Sequence, residues 1–349
     1  MGKIIINYIQ GGKYPILLYD DIVNIAQKCG YKLYLQPLDI YGNYCNGKDN
    51  LFLKLRYNFS KIPIFIKTLI QIPRNSKILL MYPHPFGVLI PWFCYLLKIK
   101  KCNITFVCVD LDSLRLPNKS HIKEAKNLNA ADKLILHTPN MIKACRNINV
   151  TTPAELFHLT DYMSNDPAPE TNGDEDIRVA FVGNFEKAPF IYKLERLNFK
   201  KVKFLLYGSY TKGSGRALIT NEQIEYKGRF APHEVSAVHG DWGLVWDGDS
   251  LEDKNENNSF RDYLKINIPS KAMLYIIANM PIIVWKEAGI ASFVEANKIG
   301  FTITSLYEVE DKIFSLSQIE KETMKKNVRI FANKIRKGEM LTEALKKID

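Results

Sequence analysis

The sequence predicts an α/β protein made of two doubly wound, parallel-sheet domains, and three observations predict it. Short runs rich in Ile, Val, Leu and Tyr alternate with longer helical stretches, the pattern that parallel strands joined by crossover helices produce. Midway, residues 164–176 (SNDPAPETNGDED) hold two prolines, a glycine and five acids, with almost nothing to bury; that is the composition of a linker. After it the alternation restarts. A chain of 349 residues is long enough for two such units.

The elements follow in order. Strands are expected at 3–8, 31–36, 77–82, 104–110 and 133–138, with helices at 15–30 (closed by Gly30), 86–99, 120–129 and 139–147. Beyond the linker, strands are expected at 177–183, 202–208, 242–247, 281–285 and 300–303, and helices at 270–279 and 289–297. The tail from 317 to 349 is helical in pattern and Lys-rich. These assignments give a first domain at 1–163, a linker at 164–176, a second domain at 177–325 and a terminal helix at 326–349. Residues 78–97 contain no Asp, Glu, Lys or Arg and are long enough to span a bilayer. Pro83, Pro85 and Pro91 would interrupt the helix that hydrocarbon demands. The segment therefore reads as a buried strand, a loop and a buried helix.

The net charge of +11 favours anionic partners. Six cysteines form no C-x-x-C pair, which disfavours a zinc site or a disulfide framework and suits a reducing compartment. The opening MGKIIINYIQGGK has too short an apolar segment for a signal peptide, so a cytoplasmic location is expected. From Leu51 to Val109 there are nine basic residues and no acid, interleaved with aromatic and aliphatic side chains. Such a surface would sit on anionic lipid at the inner face of the cell membrane; the plainer alternative is an amphipathic helix with solvated lysines. No nucleic-acid-binding motif accompanies it, so no nucleic acid is expected.

The residues that suggest chemistry sit at predicted strand ends, where doubly wound sheets bind ligands. In FVGNFEKAP (181–189), Gly183 and Asn184 follow a strand and Lys187 opens the next element, where it could meet a phosphate. In LLYGSY (205–210), Tyr207 and Gly208 could offer a flat face to a base, or Tyr207 could be partly buried. Asp247, Gly248, Asp249 and Ser250 end a buried strand. Their carboxylates could hold sugar hydroxyls, ligate a divalent cation or shape an Asp-Gly turn. In LKINIPSK (264–271), Pro269 suits a first helical turn. Free N–H groups near Ser270 and Lys271, with Lys265 and Asn267 upstream, then suit a diphosphate. There is no G-x-x-x-x-G-K-[ST] loop and no strand followed by G-x-G-x-x-G, which disfavours ATPase and dinucleotide chemistry. Together these features describe a nucleoside diphosphate–sugar site.

The run WGLVWDGDS…FRDYLKINIPSKAMLYIIANMPIIVW (242–285), continued to Phe301, resembles the bacterial galactofuranosyltransferases of surface polysaccharide synthesis. That family includes a glucosyltransferase that extends N-acetylglucosamine on serine-rich adhesins. The likeness rests on Gly243, Trp246, Asp247, Gly248, Asp249, Ser250, Tyr263, Leu264, Lys265, Asn267, Pro269, Lys271, Pro281 and Trp285. It implies a GT-B enzyme: two Rossmann-like domains facing a cleft, acceptor on the first, UDP-sugar on the second, and no metal or other cofactor. The terminal helix would pack back toward the first domain. Lys265 and Lys271 would serve the diphosphate, so Lys271→Ala is expected to cut turnover with little change in melting temperature. One departure stands out. Where the family often has H-D-x-x-x-L-R, this chain has Val109-Asp110-Leu111-Asp112-Ser113-Leu114-Arg115. The missing histidine leaves His84, or His137 in an H-N-x-x-M-like stretch, as substitutes.

Inverting transfer needs a base near the acceptor hydroxyl. Asp110 at a strand end is the first candidate, beside Asp112, His84, His137 and Asp20; Asp110 could instead pair with Arg115. Gly11 and Gly12 follow the first strand and could approach a ligand. The expected acceptor is a glycan, lipid-diphosphate-linked if the membrane reading holds. A non-catalytic UDP-sugar-binding subunit is an alternative, and a homo-oligomer is compatible with either.

Overall fold

A computed structural model describes residues 2–8, 17–36, 51–116, 118–169, 176–209, 220–253 and 259–348, without the side chains of Leu17, 51–58 and Ser259. Gly11 and Gly12 lie outside the described residues. The chain divides into two units: Met1–Phe157 with Leu341–Asp349, and His158–Met340.

Unit 1 holds a six-stranded parallel sheet: β1 (Lys3–Tyr8), β2 (Lys32–Gln36), β3 (Lys77–Tyr82), β4 (Asn103–Cys108), β5 (Lys133–Leu136) and β6 (Ala154–Leu156), in the order β2-β1-β3-β4-β5-β6. Unit 2 repeats the plan with β7 (Ile177–Asn184), β8 (Val202–Ser209), β9 (Ile224–Gly228), β10 (Trp242–Val245), β11 (Ile282–Trp285) and β12 (Gly300–Ile303), in the order β12-β11-β10-β7-β8-β9. Helices cover both faces of such sheets, so the inner strands are apolar throughout instead of alternating. Ile4 to Ile6, Leu79 to Met81 and Ile282 to Val284 are all fully buried.

Strand order reverses once in each sheet. In unit 2 the chain runs outward from β7 to β9 and then returns to β10 on the other side of β7. The loops leaving β7 and β10 therefore diverge, and the crevice that opens there is where doubly wound sheets take ligands. In unit 1 the same point lies between β1 and β3.

Several expectations change in detail. The short edge strands β6 and β9 carry weak patterns (AEL and IEYKG) and escape sequence reading. Residues 78–97 form a strand, a loop and a helix as expected, but the Ile90–Ile99 helix buries only one side and leaves Trp92 and Tyr95 exposed. The terminal helix is two helices, Gln318–Lys337 and Glu339–Ile348, separated by Gly338 at φ 75°. Only residues from Leu341 onward group with unit 1. Part of the linker is anchored: the Ser236 N–H donates to Asp166 at 2.6 Å, and Arg336 donates to the carbonyls of Ser164 and Asp166 at 2.6 Å each.

Candidate functional site

At the β7/β10 switch point of unit 2, the geometry begins with the Ser270–Ile277 helix. Pro269 precedes it in an extended conformation (φ −74°, ψ 140°) with no side-chain cap. Its first N–H groups thus have no cap from Pro269 and carry the positive end of the helix dipole. Tyr275, one face further along, fills the gap where β7 and β10 part. Its hydroxyl accepts from Val182 N–H at 2.7 Å and donates to Leu244 O at 3.2 Å, replacing strand-to-strand bonds. Burial raises the Tyr275 pKa, keeping the phenol protonated for both bonds. A Cβ at Gly243 would lie 2.1 Å from the Tyr275 ring, so the strand needs glycine there.

Lys271 is held within this site. Its Nζ donates to Asp247 Oδ1 at 2.7 Å and to Trp246 O at 3.1 Å, and lies 4.5 Å from the Phe181 ring centroid. The side chains of Lys271 and Asp247 are 11% and 16% exposed. Lys271 therefore ties the helix start to the end of β10, and Asp247 already has a cationic partner. Gly248, at φ 97°, exchanges backbone bonds with the neighbouring loop: its N–H donates to Lys187 O and its carbonyl accepts from Phe190 N–H, both at 3.1 Å. Asp249 pairs with Lys193 at 2.6 Å, and Ser250 O accepts from Trp246 Nε1 at 2.9 Å. Both aspartates of the motif thus belong to a structured loop with lysine partners. Gly183 and Asn184 are the last two residues of β7 and do not follow it, and Gly183 lies beneath Lys271, with 3.9 Å between Lys271 Nζ and the place of a Cβ.

Lys265 pairs with Asp262 at 3.1 Å and stays half-exposed. The 265–267 backbone lies on Gly289, where a Cβ would meet Lys265 O at 3.1 Å and Asn267 O at 3.2 Å. Lys265 and Asn267 thus lie on the loop that leads to Pro269, Ser270 and Lys271, with the Lys265 ammonium 5.6 Å from the Trp285 ring centroid.

Two expectations are corrected here. Tyr207 presents no face to a base: it is buried to 3% exposure, packs edge-on to Phe230, and its hydroxyl lies between the N–H and carbonyl of His239. Gly208 is needed because it lies against Gly183 in the β7/β8 pairing, where a Cβ would sit 1.9 Å from Gly183 O. Lys187 does not open an α-helix. The element that follows is a 3-10 helix, Pro189–Leu197, and the exposed Lys187 ammonium lies over Phe260. Asn184 shapes the turn by accepting from Glu186 N–H at 2.9 Å.

Sequence reading missed Tyr275, Lys193 and Arg261. Tyr275 and Lys193 look like ordinary helical positions, and their partners lie far away in sequence, 31 and 93 residues for Tyr275 and 56 for Lys193. Arg261 is buried between Trp246 and Trp285, 4.9 and 4.3 Å from their rings, and donates to Glu252 O. Its only sequence sign is a basic residue beside an apolar helix.

In unit 1, Asp110 and Asp112 are both clamped by Arg115, at 2.7 and 2.8 Å. The buried Glu124 caps the Asp112–Arg115 helix by accepting from the N–H groups of Asp112 and Ser113. The pairing alternative for Asp110 is therefore the one seen, though Asp110 remains partly exposed. Asp20 is exposed on the Leu17–Lys28 helix.

His137 is buried, with Nε2 bonded to Val109 O at 3.2 Å, and burial lowers its pKa to about 4. His84 is buried beside Tyr8. Its Nδ1 accepts from Phe86 N–H at 3.2 Å, and burial followed by the Lys61 charge lowers its pKa to about 3. Both rings are neutral at physiological pH, and His137 serves the sheet.

The parallel doubly wound units define the class: the fold is that of the GT-B glycosyltransferases. Sucrose-phosphate synthase from Thermosynechococcus elongatus shares it at TM-score 0.65 and 11% identity, with 99% of both chains covered. So does an Escherichia coli trehalose-6-phosphate protein bound with UDP-2-fluoro glucose, at TM-score 0.66 and 10% identity, covering 99% of this chain and 98% of that one. Residues 179–348 match the family described as glucosyltransferase 3-like, C-terminal domain. The β-1,6-galactofuranosyltransferase WbbI of Escherichia coli (strain K12) is 27% identical over 270 residues, 76% of each chain. By these matches the chain is similar to glycosyltransferases over its second unit and over most of its length.

Proposed function

We propose that the chain transfers a galactofuranosyl group from its UDP carrier to a hydroxyl of a glycan acceptor, in the assembly of a cell-surface polysaccharide. The observation that carries this is the Pro269 helix start at the β7/β10 switch point, with Lys271 anchored beneath it and Lys265 on the loop that leads into it. Backbone N–H groups and two lysines there stabilise the departing diphosphate as its charge develops. The carboxylates of Asp247 and Asp249, fixed by Lys271 and Lys193, offer their remaining lone pairs to sugar hydroxyls. Each carboxylate already has a lysine countercharge, which supports a reading without a metal at this site. The relative's β-1,6 name fits inversion in a single displacement, because an α-linked sugar nucleotide gives a β product that way. Asp110, which shares Arg115 with Asp112, is the proposed base.

A UDP-glucose-dependent glucosyltransferase acting on a glycosylated adhesin is the second reading, favoured by the glucosyltransferase name of the matched C-terminal family. Incubation with labelled UDP-galactofuranose and UDP-glucose and a panel of glycan acceptors separates the two. Transfer from the galactofuranose donor alone is the expected result. Transfer from UDP-glucose alone replaces the first reading with the second, and binding without transfer or donor hydrolysis leaves only a UDP-sugar-binding subunit.

A further inference from the structure

In unit 1 the helices Leu51–Gln71 and Ile90–Ile99 are neighbours, and each leaves an apolar stripe in water. Phe65 of the first packs on Phe93 of the second at 5.3 Å, and Lys100 caps the end of the first by donating to Leu69 O at 2.6 Å. On the first helix Phe59, Ile62, Ile66 and Ile70 recur every three or four residues and are 66, 44, 50 and 76% exposed. On the second, Trp92, Tyr95 and Ile99 repeat the spacing at 63, 57 and 54% exposure. Seven large side chains on two packed helices are far more than scattered surface apolar residues, and such patches mark interaction sites.

The charge says what covers them. No acid occurs between Leu51 and Val109, against nine basic residues. Lys67, Arg74 and Lys101 are exposed and make no ion pair among the described residues, whereas Lys98 is taken by Asp132 at 3.0 Å. No helix among the described residues is long and apolar enough to cross a membrane. We infer that this two-helix face docks on an anionic lipid bilayer. The helices lie in the interface with Ile, Phe and Trp at the acyl boundary and Lys67, Arg74 and Lys101 among the head groups. A second copy of the same face would oppose one cationic rim to another, which disfavours self-association here.

The test is co-sedimentation of the full chain with phosphatidylcholine vesicles, with and without phosphatidylglycerol. Binding is expected only with phosphatidylglycerol, and should fall as added salt shortens the screening length. Ile66→Glu with Trp92→Glu should lower the bound fraction at least about tenfold. Lys67→Gln with Arg74→Gln should do so by about tenfold at low salt. All four positions are solvent-facing, so melting temperature and donor turnover in solution should stay unchanged. Failure to bind, equal binding to neutral vesicles, or undiminished binding by both double variants overturns the inference. So does a dimer that ignores vesicles and becomes a monomer in the Ile66→Glu, Trp92→Glu variant; that result gives the face to a second copy.

Discussion

Lys271 illustrates what a single residue's spacing hides. Sequence places it at a helix start, which suits a phosphate ligand, and predicts a clean loss of activity on truncation. The structure pairs it with Asp247 at 2.7 Å in a site where both are mostly covered. Removing the ammonium leaves a carboxylate desolvated and alone, at a cost of about 2–3 kcal/mol. Lys271→Ala is therefore expected to lower both turnover, by at least about a hundredfold, and the melting temperature by several degrees. Asp247→Asn, which keeps a hydrogen-bond acceptor, should unfold more weakly; thermal melts of the two variants beside initial rates make the comparison. An unchanged rate in Lys271→Ala would remove it from the donor site. Tyr275 gives a second test. Tyr275→Phe strips Val182 N–H and Leu244 O of their shared partner and should cost about 1–3 kcal/mol in urea unfolding. Sequence read the position of Asp247-Gly248-Asp249 correctly, as the loop after a buried strand, while its role stood open among sugar ligand, cation ligand and turn. Tyr207 misled because an aromatic at a strand end looks the same whether it faces a ligand or, as here, the His239 backbone.

At the scale of elements, central strands were legible because burial on both faces writes them as unbroken apolar runs. Edge strands β6 and β9 were not, since half their surface is free of that demand. The terminal helix could be read as helical but not as broken, because its partner, the core of unit 1, is invisible from sequence. Leu341, Ala344 and Leu345 are buried, and Lys347 pairs with Glu155 at 2.9 Å. Truncation after Gly338 exposes two leucines' worth of core, about 3–6 kcal/mol, and unit 1 should melt earlier in calorimetry. The loops after β3 and β5 add a pH dependence. His84 and His137 have folded pKa values lowered by burial to about 3 and about 4, against 6.5 when exposed. The unfolded chain thus binds protons first. Their contribution is fully present above pH 6.5 and is lost as pH falls toward 4 and then 3, by up to about 1.4 kcal/mol per pH unit for each histidine. Urea unfolding at stepped pH should show this slope in unit 1, and His137→Gln should lessen it; an unchanged slope in that variant would remove His137 from it and leave His84 and the carboxylates.

For the whole molecule, two sheets of one plan with different strand orders separate the roles: the site with a helix start, two lysines and two fixed aspartates lies entirely in unit 2. A ligand held there must act on that unit first. Binding stabilises a folded state by RT ln(1 + [L]/Kd), about 2.7 kcal/mol at a hundredfold excess over Kd. UDP is the natural probe, because it carries the diphosphate without the sugar whose identity is in question. Hydrogen exchange of the full chain with UDP should slow most in three segments: the β7 exit around Gly183, the Asp247–Ser250 loop, and residues 265–273. Removing Asp249 or Lys193 should leave that protection largely in place, because the proposal assigns their pair to the sugar, whereas Lys271→Ala should abolish it. Protection confined to unit 1, or spread evenly over both units with none at the Pro269 turn, would show that the diphosphate docks elsewhere. The donor assignment would then fail even if the chain proved to transfer sugar.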